Sequence, residues 1–132
     1  KINKFIKKKN EKTRIYDEQF SNNSMFKIPK VEKNYGHAYH LYPLQINFSQ
    51  ENEKKIFFKK LYSSKIKLQV HYIPIHLQPY YKKNYGFKKG DYPVAENFYK
   101  NEVSIPIYFS LKKEEIYRVI NKIKKNLKKN NS

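Results

Sequence analysis

The chain has 132 residues, no cysteine, and a net charge of +18 from 29 Lys+Arg against 11 Asp+Glu. That length suits one modest domain with a single core. The absence of cysteine excludes disulfides and thiolate metal sites, and no apolar run reaches the roughly 20 residues of a membrane span. So strong a positive charge invites a nucleic-acid partner. Only Arg14 and Arg118 are arginines, however, and base-edge and bidentate phosphate recognition favour the guanidinium fork. Lys, Asn, Ile, Tyr and Phe are enriched together, as codons from an A/T-rich genome would give. The lysines therefore read mainly as solvated faces with a general attraction for anions. The N-terminus is charged and periodic, with no apolar h-region or cleavage site, so the default location is the cytoplasm.

Residues 1–20 read as an amphipathic helix, with Ile2, Phe5, Ile6, Tyr16 and Phe20 at spacings compatible with one face. Ser21-Asn22-Asn23-Ser24 is a turn that ends it. Lys27 to Lys33, with Pro29, is an extended connector, and Asn34-Tyr35-Gly36 is a turn. Ala38 to Phe48 alternates as a strand, His40, Tyr42, Leu44, Ile46 and Phe48 on one face, and Pro43 consigns it to an edge or a bulge. Ser49 then caps a short helix that turns Phe57 and Leu61 inward, with Glu51 and Glu53 where the helix dipole favours acids. Residues 66–73 are the next strand, which makes a split β-α-β arrangement. The segment 79–92 is a mobile loop. Pro93 opens a helix to about Lys100, with Asp91 as a nearby cap. Val103, Ile105 and Ile107 mark a short extended run in which Pro106 forbids a central ladder position. Ser110 caps the last helix, whose apolar stripe is Ile116, Val119, Ile120, Ile123 and Leu127.

The most informative stretch is 70–81, Val-His-Tyr-Ile-Pro-Ile-His-Leu-Gln-Pro-Tyr-Tyr. It begins extended and leaves the sheet near Ile73, because Pro74 cannot donate to a ladder and restricts the residue before it. Such a strand end delivers polar rings into a loop, a usual place for a binding site. A turn with solvated histidines fits the same residues. His71 and His76 flank the proline turn and could hydrogen-bond a sugar hydroxyl or a phosphate. His37-x-x-His40 is a poor metal pair, since an offset of three in a strand puts the rings on opposite faces. Tyr80, Tyr81 and Tyr85 could stack on bases, but read better as a cluster covering the core. Glu96 and Asp91 read as a capping or packing pair, and no paired-carboxylate acid/base site is present.

Four stretches, in order, carry a resemblance: Gly36-His37-Ala38-Tyr39-His40-Leu41-Tyr42-Pro43, then His71 to Tyr81, then Gly90-Asp91-Tyr92-Pro93-Val94-Ala95-Glu96-Asn97-Phe98-Tyr99, then Ser104-Ile105-Pro106-Ile107-Tyr108. Together they resemble the C-terminal domain of the DegT/DnrJ family of PLP-dependent sugar aminotransferases. Within it the likeness is strongest to the branch that aminates UDP-linked 4-keto-6-deoxy sugars for pseudaminic acid and related surface glycans. The likeness runs over most of residues 1–128 and covers about the last third of a family chain. It implies the small α/β domain of a fold-type I PLP transferase: a sheet of three or four strands, antiparallel or mixed, with flanking helices. Residues 1–24 would be the interdomain helix and turn, and 25–132 the small domain. With Lys1 at the start instead of Met, it points to a fragment whose large PLP-binding domain lies elsewhere.

The resemblance further implies that residues His71, Tyr72, Ile73, Pro74, Ile75 and His76 reach into the active site and contact the nucleotide sugar. Their role would be binding, not catalysis. Transamination needs a Schiff-base lysine, an acid for the pyridine nitrogen and a phosphate cradle. In the family all of these lie in the large domain, and nothing here resembles its Ser-Phe-x-x-x-Lys loop. The chain alone should therefore hold no PLP and no metal and be catalytically silent. The whole enzyme would be a homodimer using PLP, a nucleotide sugar and glutamate. The alternative is a small basic nucleic-acid-binding module, and a truncated product that folds without a role is a third possibility.

Overall fold

The computed structural model describes residues 1–32 and 36–128. In chain order its elements are α1 (Ile2–Phe20), β1 (Phe26–Lys27), β2 (Tyr42–Ile46), α2 (Glu51–Ser63), a 3-10 turn (Ile75–Leu77), α3 (Pro79–Tyr85), α4 (Pro93–Asn101), β3 (Glu102–Ile105) and α5 (Lys113–Lys128). The strands form one antiparallel sheet in the order β1-β2-β3. The expected α/β domain, with a sheet of three or four strands, flanking helices and a long N-terminal helix, is thus observed, with three strands among the described residues.

Register assigns the two sheet faces. Tyr42 sits opposite Ile105 and Leu44 opposite Val103, so these side chains share one face, where all four are buried with Ile46. The stripe Ile116, Val119, Ile120, Ile123 and Leu127 of α5 is buried in the same core, as are Phe57 and Leu61 of α2. From α1 only Thr13, Tyr16 and Phe20 are buried. The Tyr16 hydroxyl donates to the Pro106 carbonyl at 2.9 Å, and the Tyr42 hydroxyl donates to Asp17 Oδ1 at 2.6 Å. The helix start is different: Ile2 is exposed, and Phe5 lies outside the core, its ring centroid 4.1 Å from that of Phe109. The C-terminal half of α1 belongs to the core, and the apolar residues of its first turns lack such a seat.

Several expectations are corrected. Pro43 lies in the central strand, not at an edge. Ser104 exchanges both backbone hydrogen bonds with Gln69. Its partner Pro43 is therefore in a non-hydrogen-bonded pair and turns its nitrogen toward β1. There β1 reaches only Gln45 and Ile46, so no ladder bond is missing. The strand begins at Tyr42, not Ala38, because Tyr39 takes a left-handed φ of 44° and turns the chain. Residues 66–73 form no strand, only the single bridge Gln69–Ser104. Beyond it the His71 N–H donates to the Glu102 carboxylate at 2.9 Å, where a ladder would have used a backbone carbonyl.

The segment expected as a loop contains α3, with Pro79 at its first turn and Gly86 closing it at φ 71°. That is the proline-in, glycine-out asymmetry of helix ends. Three caps also differ. Glu53 accepts the N–H of Ser49 at 2.8 Å, and Gln50, not Ser49, is the cap of α2. Glu96, not Asp91, serves the start of α4. At the start of α5 the Lys112 N–H goes to Glu115 at 2.7 Å, and Ser110 lies in the preceding turn. The expected turn residues Asn34 and Tyr35, and the end of the connector at Lys33, lie outside the described residues.

Candidate functional site

The chain from 71 to 77 is pinned at both ends and free in the middle. At the far end, the His76 ring is buried, with Nε2 at 2.8 Å from Glu96 Oε1 and its centroid 4.8 Å from that of Tyr92. Glu96 also accepts the Gly90 N–H at 2.8 Å and the Tyr92 N–H at 3.4 Å. The bond from His76 is the largest influence holding the Glu96 carboxyl below the usual carboxylate range. Partial burial opposes it, and the Gly90 and Tyr92 amides reinforce it. One carboxylate thereby ties together the 3-10 turn, the 88–92 loop and the first turn of α4.

At the near end, His71 is held by two polar side chains of β3. Its N–H donates to Glu102 Oε2, and its Nδ1 lies 2.9 Å from Ser104 Oγ, whose hydroxyl is 2.6 Å from Glu102 Oε1. Glu102 and Ser104 alternate with the core residues Val103 and Ile105, so they project from the opposite sheet face, yet both are buried. The composition of β3 carried the signal: an acid and a serine interleaved with apolar residues on a strand that is buried throughout.

Between the anchors the tip stands out. Tyr72 is 74 % exposed, Ile73 51 % and Ile75 62 %. The tip borders a cleft of about 600 Å³ lined by His71, Tyr72, Pro74, Tyr92, Val94 and Phe98. Val94 at the start of α4 is 84 % exposed and Tyr92 49 %. An open cleft with this much apolar surface on its rim is the kind of patch that a ligand or another polypeptide covers. The structure thus brings His71 and Tyr72 to one cleft with Pro74 and α4. It turns the His76 ring away, into the contact with Glu96.

A larger groove of about 930 Å³ lies between α2 and α4, with Lys54, Ile56, Phe58, Val70, Leu77 and Tyr99 on its walls. Lys54 Nζ donates to the Tyr99 carbonyl at 2.6 Å and sits over that ring at 5.1 Å. Burial pulls the Lys54 amine below its ordinary value, while the Glu102 charge partly restores it. This lysine therefore ties α2 to α4, with its nitrogen already engaged. Among the described residues no lysine lines the cleft beside Tyr72, so the residues that line it do not fit the Schiff-base chemistry of PLP.

The other singled-out residues lie apart. His37 and His40 are exposed and precede β2, and His37 Nδ1 accepts the Tyr39 N–H at 3.0 Å. Tyr80, Tyr81 and Tyr85 do not cover the core: α3 buries no residue, and Tyr80 and Tyr85 are more than 60 % exposed. They form a surface aromatic chain that continues through Phe87 to Tyr92. No helix among the described residues is long and apolar enough to cross a membrane.

The sequence pattern of the DegT/DnrJ/EryC1/StrS aminotransferases matches residues 1–124. The chain belongs to that family. An uncharacterised protein of Methanocaldococcus jannaschii is 39 % identical over 125 residues, 94 % of this chain and 32 % of the relative. A UDP-4-amino-4,6-dideoxy-N-acetyl-beta-L-altrosamine transaminase of Campylobacter jejuni is 32 % identical over 132 residues, 95 % of this chain and 35 % of that enzyme. Among solved structures, the apo form of Spr1654 from Streptococcus pneumoniae, described as a putative sugar aminotransferase, superposes with a TM-score of 0.88 at 26 % identity. The match covers 97 % of this chain and 32 % of that one, and the same protein has been solved in PMP and PLP forms. The chain spans about a third of the length of the family members it matches.

Proposed function

We propose that this chain is the C-terminal part of a PLP-dependent sugar aminotransferase and forms the substrate-side wall of its active site. Residues 1–24 serve as the interdomain helix and turn, and 25–132 as the small domain. The large domain, with the Schiff-base lysine and phosphate cradle, belongs to polypeptide outside these residues. The family assignment supports the enzyme class. The tip of the 71–77 segment, exposed and apolar yet anchored at both ends, is the observation that carries the role. In this reading His71, Tyr72, Ile73, Pro74 and Ile75 meet the nucleotide sugar, and His76 acts from behind by fixing the loop to Glu96. A pinned loop loses little entropy when it closes on a ligand, which is what a recognition surface requires.

The substrate is a UDP-linked 4-keto-6-deoxy sugar, a class supported by the Campylobacter relative, and glutamate supplies the amino group. PLP supplies the electron sink when bound by the whole enzyme, a homodimer in the cytoplasm. Neither the fold nor the family supports the nucleic-acid alternative.

The test uses the whole polypeptide that carries this chain, with Tyr72→Ala and Ile75→Asp. The expected result is a KM for the keto sugar raised about tenfold or more, with the glutamate-driven change in cofactor absorbance at its wild-type rate. An unchanged KM, or an equal loss in the glutamate half-reaction, overturns the assignment of this loop to the sugar side.

A further inference from the structure

The hydrogen-bond order around His71 assigns its tautomer. The carboxylate of Glu102 only accepts. It takes the His71 N–H on Oε2 and the Ser104 hydroxyl proton on Oε1. Once that proton is committed, Ser104 Oγ can only accept from the ring, so Nδ1 of His71 carries the hydrogen of the 2.9 Å bond. In the neutral ring Nε2 is then a bare lone pair. It has no hydrogen-bond partner among the described residues, and it is not among the buried side-chain nitrogens and oxygens lacking one. His71 is half-buried, and it lines the cleft beside Tyr72.

We propose that Glu102 and Ser104 are positioning residues that hold His71 in the Nδ1–H form, so that Nε2 offers one bare acceptor to the cleft. The ligand group that docks there must be a donor, a sugar hydroxyl or a ring N–H, and a carbonyl or phosphate oxygen at that point is disfavoured. This rests on the reading of the cleft as the nucleotide-sugar wall, and it adds which chemical group faces His71 and why.

His71→Asn separates this role from a structural one. The asparagine amide can take the place of Nδ1 and keep the bond to Ser104, but nothing replaces Nε2. The probe is UDP-N-acetylglucosamine, titrated calorimetrically into the whole enzyme. The expected result is a Kd about tenfold weaker in His71→Asn, the loss of roughly one hydrogen bond, at unchanged melting temperature. Ser104→Ala should weaken binding less, with a mixed tautomer. The second readout is the 15N magic-angle-spinning spectrum of histidine-labelled enzyme, with His71 assigned by its loss in His71→Asn. A protonated Nδ1 and a bare Nε2 are expected. A proton on Nε2, or wild-type affinity in His71→Asn, overturns the proposal while leaving the wall reading intact. If the wild-type enzyme ignores the probe although His71 shows the expected tautomer, the wall reading fails and takes this proposal with it.

Discussion

Tyr42→Phe tests how the long N-terminal helix is joined to the sheet. The Tyr42 ring is fully buried against Tyr16, with centroids 5.0 Å apart, and phenylalanine preserves that packing. What is lost is the 2.6 Å bond from the hydroxyl to Asp17 on α1. A hydrogen bond to a charged group contributes about 1.5–3 kcal/mol. At about 4 °C per kcal/mol for a domain of this size, melting falls by ~6–12 °C.

Acidity gives a second check with a definite sign. Burial raises the Asp17 carboxyl above its ordinary range, the bond from Tyr42 partly offsets this, and the Glu18 charge adds to the rise. Removing the hydroxyl should push Asp17 up further. The cost of Tyr42→Phe is then largest at neutral pH, where the carboxylate is charged. It shrinks as pH falls through the raised Asp17 range, because a protonated carboxyl accepts a weaker bond. Urea unfolding of Tyr42→Phe, Asp17→Asn and the double variant, followed by circular dichroism at pH 7 and at mildly acidic pH, measures both effects. Tyr62→Phe, at a 70 % exposed position, is the control and should stay within about 0.5 kcal/mol of wild type. A Tyr42→Phe penalty that is under about 0.5 kcal/mol, or that grows on acidification, refutes the argument that this bond joins α1 to β2.

Three further outcomes follow from the geometry. Gly86→Ala places a Cβ in open space but at φ 71°, so its cost is the left-handed backbone alone, about 1–2 kcal/mol by denaturant unfolding, and Gly86→Asn costs visibly less. Ile123→Ala empties a fully buried position of the α5 stripe and should cost about 2–5 kcal/mol by the same measurement. Glu96 has a lowered carboxyl, so the stability it adds is full above the ordinary carboxylate range and is lost as pH falls through its depressed folded value. Glu96→Gln should therefore flatten the acid limb of the stability–pH curve.

Much of the fold was legible because periodic apolar faces dominate it. The stripe of α5 and the inward pair Phe57 and Leu61 of α2 are buried as their spacing requires. The errors came where side chains replace backbone partners. Residues 70–73 look like a strand, but the Glu102 carboxylate takes the His71 N–H that a ladder would have given to a backbone carbonyl, and no local pattern announces that. Pro43 misled because ladder alternation depends on register, which is not visible within one strand. The missed α3 had its signal in Pro79 and Gly86, outweighed by the lysines and tyrosines between them. At the candidate site, the loop was evident from its prolines and histidines. Its anchors were not, since Glu96 and Glu102 lie 20 and 31 residues beyond the histidines they hold.

Photolabelling of the whole enzyme with 5-azido-UDP-glucose, followed by peptide mass spectrometry, bears most directly on the claim that this chain walls the sugar-nucleotide site. Label on residues 71–76, suppressed by excess UDP-N-acetylglucosamine, is the predicted result. Suppressible label confined to the α2–α4 groove, or to polypeptide outside this chain, contradicts it.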